Sequence, residues 1–470
     1  MVTFIVCLIA LILGYVLYGA LTEKIFGMEP ERPTPAVANP DGVDFVPMGW
    51  GRIFLIQFLN IAGLGPIFGA VAGAMWGPVA FIWIVLGCIF AGAVHDYFSG
   101  MLSIRTGGAS ISEVVGTYLG SFFKQFMRVF SIVLLVLVGV VFVTGPAKIL
   151  SGFETPISFQ VWVYIIFAYY LLATVLPIDK LIGRIYPVFG FALLFMAVGI
   201  LYGLVAGGHT IPEMSFENMH SSPEKFPIFP MLFITIACGA ISGFHATQSP
   251  LMARCLTSER LGRRVFYGAM IAEGIVAMIW AAAAMTFFDG VAALNASMAE
   301  HGNNPAWAVN EISKGFLGAI GGVLALLGVV AAPITSGDTA FRSARLTIAD
   351  ALRIKQGPIA RRLAVSVPLF VIGFGLTKID FGVIWRYFAW SNQSLATIML
   401  WAASMYLIRK RGFYFLTTVP AIVMTAVCVT YILTAPEGFA LDYGLSVGLG
   451  MSAALAALAA FLFAAGRSRR

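Results

Sequence analysis

Apolar stretches of about twenty residues recur thirteen times along this chain, near 2–21, 52–75, 79–102, 127–149, 158–176, 186–207, 228–248, 266–288, 315–333, 362–377, 382–408, 413–434 and 443–465. A helix needs about 20 such residues to cross the hydrocarbon of a bilayer. The pattern therefore predicts an all-α polytopic membrane protein with about 13 transmembrane helices. Only 11% of the 470 residues are charged and 60% are hydrophobic. A soluble domain carries about 25% charged residues, so a soluble core of this length would have no adequate surface.

The basic residues set an expected orientation. With the N-terminus outside, twenty-four Lys and Arg fall in inner segments, from Lys24 to Arg470, and four in outer ones: Lys148, Lys225, Lys314 and Lys378. Arg386 opens the eleventh span. Basic residues accumulate on the cytoplasmic side, so the reading is N-out and C-in, and the net charge of +7 reflects orientation rather than an acidic partner. Residues 2–21 lack a basic leader and are read as a retained span rather than a cleaved signal. The cysteines Cys7, Cys88, Cys238, Cys255 and Cys428 show no spacing for a metal or a redox pair.

Two spans carry glycine-rich breaks: Asn60-Ile61-Ala62-Gly63-Leu64-Gly65-Pro66-Ile67-Phe68-Gly69, and Cys238-Gly239-Ala240-Ile241-Ser242-Gly243-Phe244-His245-Ala246-Thr247-Gln248-Ser249-Pro250. Unwound backbone survives at membrane depth only where protein buries it or it lines a cavity. The breaks fall in the second and seventh spans, so the broken spans run in opposite directions. That is the arithmetic of a five-plus-five inverted repeat around a transport site. Expected units are 1–51 (a helix and a cytoplasmic loop), 52–208 and 209–411 (the two five-helix repeats) and 412–470 (two further helices). The competing reading is that glycines simply let helices pack closely. The Pro-rich stretch 22–50 is expected to be a loop, and residues 335–355 an amphipathic helix at the inner interface.

Ionisable groups inside spans are functional candidates by default. His95 and Asp96 lie late in the third span, and Glu273 lies at related depth in the eighth. They are the candidate proton path, against plain pairing with an interfacial arginine. Thr335, Ser336 and Asp338 offer hard oxygens for sodium. Asp338 would alternatively carry a proton, or simply pair with Arg342 at i+4. Asn60, Gly63, Gly65, Pro66, Ser242, Gly243, Phe244, His245 and Gln393 are the expected walls of the substrate site, with Asn392 beside them. His245 is either a titrating group or a packed one. Helix halves that begin at a break expose N–H groups suited to a carboxylate. No phosphate-binding loop, nucleophile elbow or metalloprotease motif occurs, so no enzyme activity is expected.

Several of these segments, taken together, resemble the carbon starvation protein A family of bacterial inner-membrane transporters. They are Asp41-Gly42-Val43-Asp44-Phe45-Val46-Pro47, Ile61-Ala62-Gly63-Leu64-Gly65-Pro66, Ala91-Gly92-Ala93-Val94-His95-Asp96-Tyr97, Ile241-Ser242-Gly243-Phe244-His245-Ala246, Gly337-Asp338-Thr339-Ala340-Phe341-Arg342 and Ser391-Asn392-Gln393. The resemblance implies a LeuT-like broken-helix fold, a location in the bacterial inner membrane, and uptake of pyruvate or small peptides with protons. The partners would be a small substrate (pyruvate or a di- or tripeptide) and the bilayer, with no nucleic acid. No cofactor is expected beyond the coupling ion, a proton rather than sodium. Sodium symport, a channel and a transporter-like sensor are the alternatives.

Overall fold

Without water, backbone N–H and C=O groups must bond within their own segment, which a helix accomplishes. A computed structural model describes residues 1–42, 45–152, 157–175, 178–356 and 358–468, with only the backbone described at 178–187, 319, 320, 322, 325, 326 and 468. Val43 and Asp44 of the first-loop motif, and the side chains of Lys180, Arg184, Arg469 and Arg470, lie outside the described set.

Among the described residues all regular structure is helical. The principal helices are α1 (Val2–Phe26), α2 (Trp50–Ile61), α3 (Gly65–Gly73), α4 (Val79–Arg105), α5 (Ile111–Leu119), α6 (Ser121–Ser151), α7 (Phe159–Val175) and α8 (Ile178–Ala206). They continue with α9 (Gly243–Ala253), α10 (Glu259–Phe287), α11 (Val291–Glu300), α12 (Pro305–Ala325), α13 (Ala332–Ala351), α14 (Ile359–Leu376), α15 (Phe381–Arg409), α16 (Phe415–Thr434) and α17 (Tyr443–Ser468). Each expected span contains helical chain, interrupted over 236–242 in the span expected at 228–248. Among the described residues eight helices are long and apolar enough to cross a membrane, and nine if the bent pair α2–α3 is one span.

Burial sorts these helices into centre and rim. In α4 and α10, 83% of the apolar window is buried, against 28% in α1 and α14 and 17% in α17. The rim helices expose large apolar side chains, among them Leu17, Val371, Leu455 and Phe463. A surface of that kind is stable against lipid, not against water.

Two local expectations need correction. The stretch 22–50 is not wholly loop: α1 runs on to Phe26, and Pro35–Ala38 forms one helical turn with proline at its start, where the missing N–H costs nothing. Residues 335–355 do not form a surface helix. Residues 335–351 belong to α13, which packs along α6 and buries Ser336 to Phe341, Ala344 and Arg345, and 352–355 lie beyond its end. The approach is close because residue 337 is glycine. A Cβ there would lie 1.9 Å from the Tyr170 hydroxyl of α7.

Candidate transport site

Pro66 has no N–H to continue the helix of α2, and it occupies the first turn of α3. The two helices meet at a 47° bend through Ala62, Gly63 and Leu64. The second break is longer. A short helical stretch ends at Thr235, the chain unwinds over 236–242, and α9 restarts from an extended Ser242.

The two breaks touch. A Cβ on Gly65 would lie 2.2 Å from Cys238 Cβ, and one on Gly69 would lie 2.9 Å from the Thr235 carbonyl oxygen. Glycine is what lets the halves approach this closely. Gly63 lies under the Phe142 ring of α6, which also meets Phe244 edge-on at 6.1 Å.

Helix α15 satisfies much of the unwound chain. Asn392 Oδ1 accepts from the Phe244 N–H at 2.7 Å and from the Ser242 hydroxyl at 3.1 Å. It acts as an N-cap supplied from another helix. Gly243 lies against the α15 backbone, where a Cβ would be 2.3 Å from the Asn392 carbonyl. At the other edge of the break, Gln393 Nε2 and Trp83 Nε1 both donate to the Phe233 carbonyl, and Trp83 also donates to Ile236 O at 3.1 Å.

Beside the second break runs a line of four ionisable side chains, all with no exposed area. His95 Nδ1 is 2.8 Å from Asp96 Oδ1, His245 Nδ1 is 2.8 Å from Asp96 Oδ2, and His245 Nε2 is 3.3 Å from Glu273 Oε2. They come from α4, α9 and α10. An ionised Asp96 accepts from both histidines when each ring carries its proton on Nδ1. His245 Nε2 and Glu273 then face each other as two acceptors unless one proton lies on the pair. The contact is not an aligned hydrogen bond, and neither Glu273 oxygen has a hydrogen-bond partner among the described residues.

The other expected residues sit apart from this line. Ser336 donates to the Leu59 carbonyl at 3.3 Å, joining α13 to the end of α2. Thr335 donates to Ala332 O at 2.7 Å, and Asp338 accepts from Arg342 at 3.2 Å. Asn60 is buried, and its Oδ1 has no hydrogen-bond partner among the described residues.

Gln57 and Gln248 escaped the sequence reading. Gln57 lies one turn before Asn60 on α2 and donates to Ser249 of α9 at 3.4 Å. Like Asn60 Oδ1, the side-chain oxygens of Gln57 and Gln248 are buried without partners among the described residues. The signal was present: Gln57 and Asn60 are i and i+3 in the apolar run that follows Arg52.

Cavities open on both sides of this centre. One of about 510 Å³ is lined by Lys148, His220, Thr235, Asp380, Trp385 and Arg386. The other, about 190 Å³, is lined by Ser131, Thr247, Pro250, Arg254 and Asp350. Between them Asn60, Asp96, Ser242, His245 and Glu273 are sealed from solvent.

The family described as carbon starvation protein CstA matches residues 1–157 and 150–326. An uncharacterized membrane protein of Haemophilus influenzae is 48% identical over 345 residues, covering 63% of this chain and 93% of its own. The pyruvate/proton symporter BtsT of Escherichia coli is 30% identical over 342 residues, 59% of this chain and 47% of the symporter. The peptide transporter CstA of Campylobacter jejuni is 29% identical over 370 residues, 64% of this chain and 52% of that protein. The chain thus spans about half the length of these two named relatives. A manganese transporter of Eremococcus coleocola aligns with 90% of this chain and 97% of its own at 12% identity, with a TM-score of 0.49.

Proposed function

Because the chain belongs to the carbon starvation protein CstA family, we propose that it is a secondary active transporter that takes up pyruvate or a short peptide together with protons. The observation that carries the reading is the sealed line His95–Asp96–His245–Glu273, which crosses from α4 to the broken-span half α9 and on to α10. Ionisable groups buried at membrane depth mark proton relays. With each Nδ1 proton directed at Asp96, this line takes one further proton between His245 and Glu273.

The mechanism follows from that geometry. With the His245–Glu273 pair protonated, α9 is held to α4 and α10 by hydrogen bonds, and the four groups together carry one net negative charge. Loss of the proton sets a bare carboxylate against an imidazole lone pair and repels α9 from α10. Proton binding and release thus favour different positions of α9, which is the differential binding that coupling requires. The substrate would lie between the two breaks, its carboxylate near the N–H groups that open α3, with Asn60, Gly63, Gly65, Pro66, Ser242, Gly243, Phe244 and Gln393 around it and the oxygens of Gln57 and Gln248 as further acceptors. His245, expected at the wall, joins His95, Asp96 and Glu273 in the coupling set.

Thirteen crossings, with spans two to six and seven to eleven as inverted repeats, complete the proposal, along with the division at 51, 208 and 411. The face carrying most arginines would be cytoplasmic, with the N-terminus outside and the membrane the bacterial inner one. Asp338, held by Arg342, serves in this reading as a tie between turns of α13, and Thr335 and Ser336 as backbone-bonded hydroxyls. The test is uptake into proteoliposomes. Pyruvate or a dipeptide should enter faster with an inward proton gradient in sodium-free buffer. Uptake that needs sodium, or that ignores both gradients, overturns the coupling.

A further inference from the structure

The first-loop motif that begins at Asp41 plays no part in the transport site, yet it is tied to the end of α9. Asp41 Oδ1 accepts from the Phe45 N–H at 2.8 Å. The Met48 N–H donates to the Cys255 carbonyl at 3.1 Å, two residues past the end of α9. The Phe45 ring lies with its centre 5.3 Å from the guanidinium carbon of Arg254. Arg254 in turn donates from Nε to the Gly108 carbonyl at 2.9 Å. Residue 108 has φ +80°, and a Cβ there would lie 2.9 Å from Arg254 Cγ, so glycine is what admits the arginine stem. Two segments distant in sequence thus orient one guanidinium.

Arg254 lines the 190 Å³ cavity, and two helices give that cavity matching walls. On α9 the lining is Thr247, Pro250, Leu251 and Arg254, at i, i+3, i+4 and i+7. On α13 it is Ser343, Leu346, Thr347 and Asp350, at the same spacing, which puts each set on one helix face. Ser131 of α6 and Ser110 and Ser112 at the start of α5 add hydroxyls. Hydroxyls around one arginine suit a carboxylate: the guanidinium fork matches its two oxygens, and O–H groups donate to the remaining lone pairs. Asp350 is itself engaged by another group, which moderates its repulsion of an anion. Pockets for drug-sized ligands run from about 300 to 1,000 Å³, so this one suits a smaller molecule. The Thr247 hydroxyl donates to the Phe244 carbonyl at 2.7 Å and accepts from Gln248 at 3.0 Å. The cavity therefore comes within one turn of α9 of the sealed centre. We propose that it is a second substrate-binding site, on the path between that centre and the face carrying Arg254, where Arg254 grips the carboxylate of a small keto acid or a dipeptide. The proposal rests on the transport reading for its substrate.

The test is thiol labelling of the purified full chain carrying Ser343→Cys, with a water-soluble maleimide. Cys7, Cys88, Cys238, Cys255 and Cys428 are all buried, so the new thiol reports on the cavity. Pyruvate or a dipeptide should slow its labelling several-fold and saturably, and uncharged pyruvamide should not. Arg254→Gln should lose the protection, and Arg254→Lys should keep part of it. Thr347→Asp, which adds a negative charge to the wall and leaves the contacts of Arg254 in place, should lose it as well. No protection in the starting chain, protection by pyruvamide equal to that by pyruvate, or protection that survives both Arg254→Gln and Thr347→Asp would each overturn the second site. Once labelled, the chain in proteoliposomes should take up no substrate, because the adduct fills the path; uptake at the unlabelled rate would contradict the path. The two readings fail separately. Protection that depends on Arg254 in a chain that moves no substrate would overturn the transport reading and leave the site, whereas uptake without protection would remove the site and leave transport.

Discussion

In the proposed relay Asp96 accepts from two histidines, so the residue that must stay ionised and the residue that gains the proton are different ones. Glu273 is the better candidate for the second role, because its carboxyl has no hydrogen-bond partner among the described residues. Glu273→Gln should therefore bring uptake down to the level seen without a proton gradient while leaving substrate counterflow intact, as measured with radiolabelled substrate. Asp96→Asn should abolish both, since the amide cannot accept from His95 and His245 together without turning its N–H₂ toward one of them. Asn392→Ala leaves the Phe244 N–H and the Ser242 hydroxyl unpaired, at about 1–3 kcal/mol per buried donor, and a lowered unfolding midpoint in detergent should report it. Asp96, His245 and Glu273 were each visible in the sequence as rare polar residues in apolar spans. Their linkage was not, because Asp96 and His245 are 149 residues apart and nothing local records that contact. His245 was assigned to the substrate wall because it follows a break, yet a side chain on the first turn of a restarted helix can turn to either side.

At the scale of the element, the two breaks were legible because glycine and proline announce them. What satisfies the exposed backbone was not, since Asn392, Trp83 and Gln393 come from helices distant in sequence. Close contact between the breaks makes a specific prediction. Gly65→Ala should destabilise the chain and impair transport, because the new methyl group overlaps Cys238 Cβ and Sγ. Cys238→Gly in the same chain should restore both, whereas either change at sites that do not touch would simply add. The loop before the second broken span offers a pH test. Burial against the Trp76 and Phe226 rings holds His220 down to about 4, and its Nδ1 accepts from the Ser222 N–H at 3.1 Å, which suits the neutral ring. An unfolded histidine titrates near 6.5. The unfolded state therefore binds more protons below that value. The loop's stability is full above about pH 6.5, drains as pH falls toward about 4, and changes little beyond. The protection factors of the amides over residues 215–226 should fall across that window in wild type and stay flat in His220→Gln.

At the scale of the molecule, the chain is a helical membrane protein whose most buried helices carry its rarest groups. Composition and apolar periodicity were enough for that much, because lipid forbids most alternatives. The amphipathic pattern of 335–355 misled, since in a polytopic protein a polar helix face can meet other helices as readily as water. Cavities on both sides of a sealed centre fit a closed state of the proposed alternating-access cycle, in which α9 would be the element that proton binding repositions. The most direct test is to add substrate to proteoliposomes holding the protein, with no imposed gradient, and to record proton movement with a pH-sensitive dye. The account predicts that pyruvate or a dipeptide carries protons inward in fixed proportion to its own flux, and that Glu273→Gln moves substrate without them. Substrate flux in the wild type with no accompanying proton movement would contradict it.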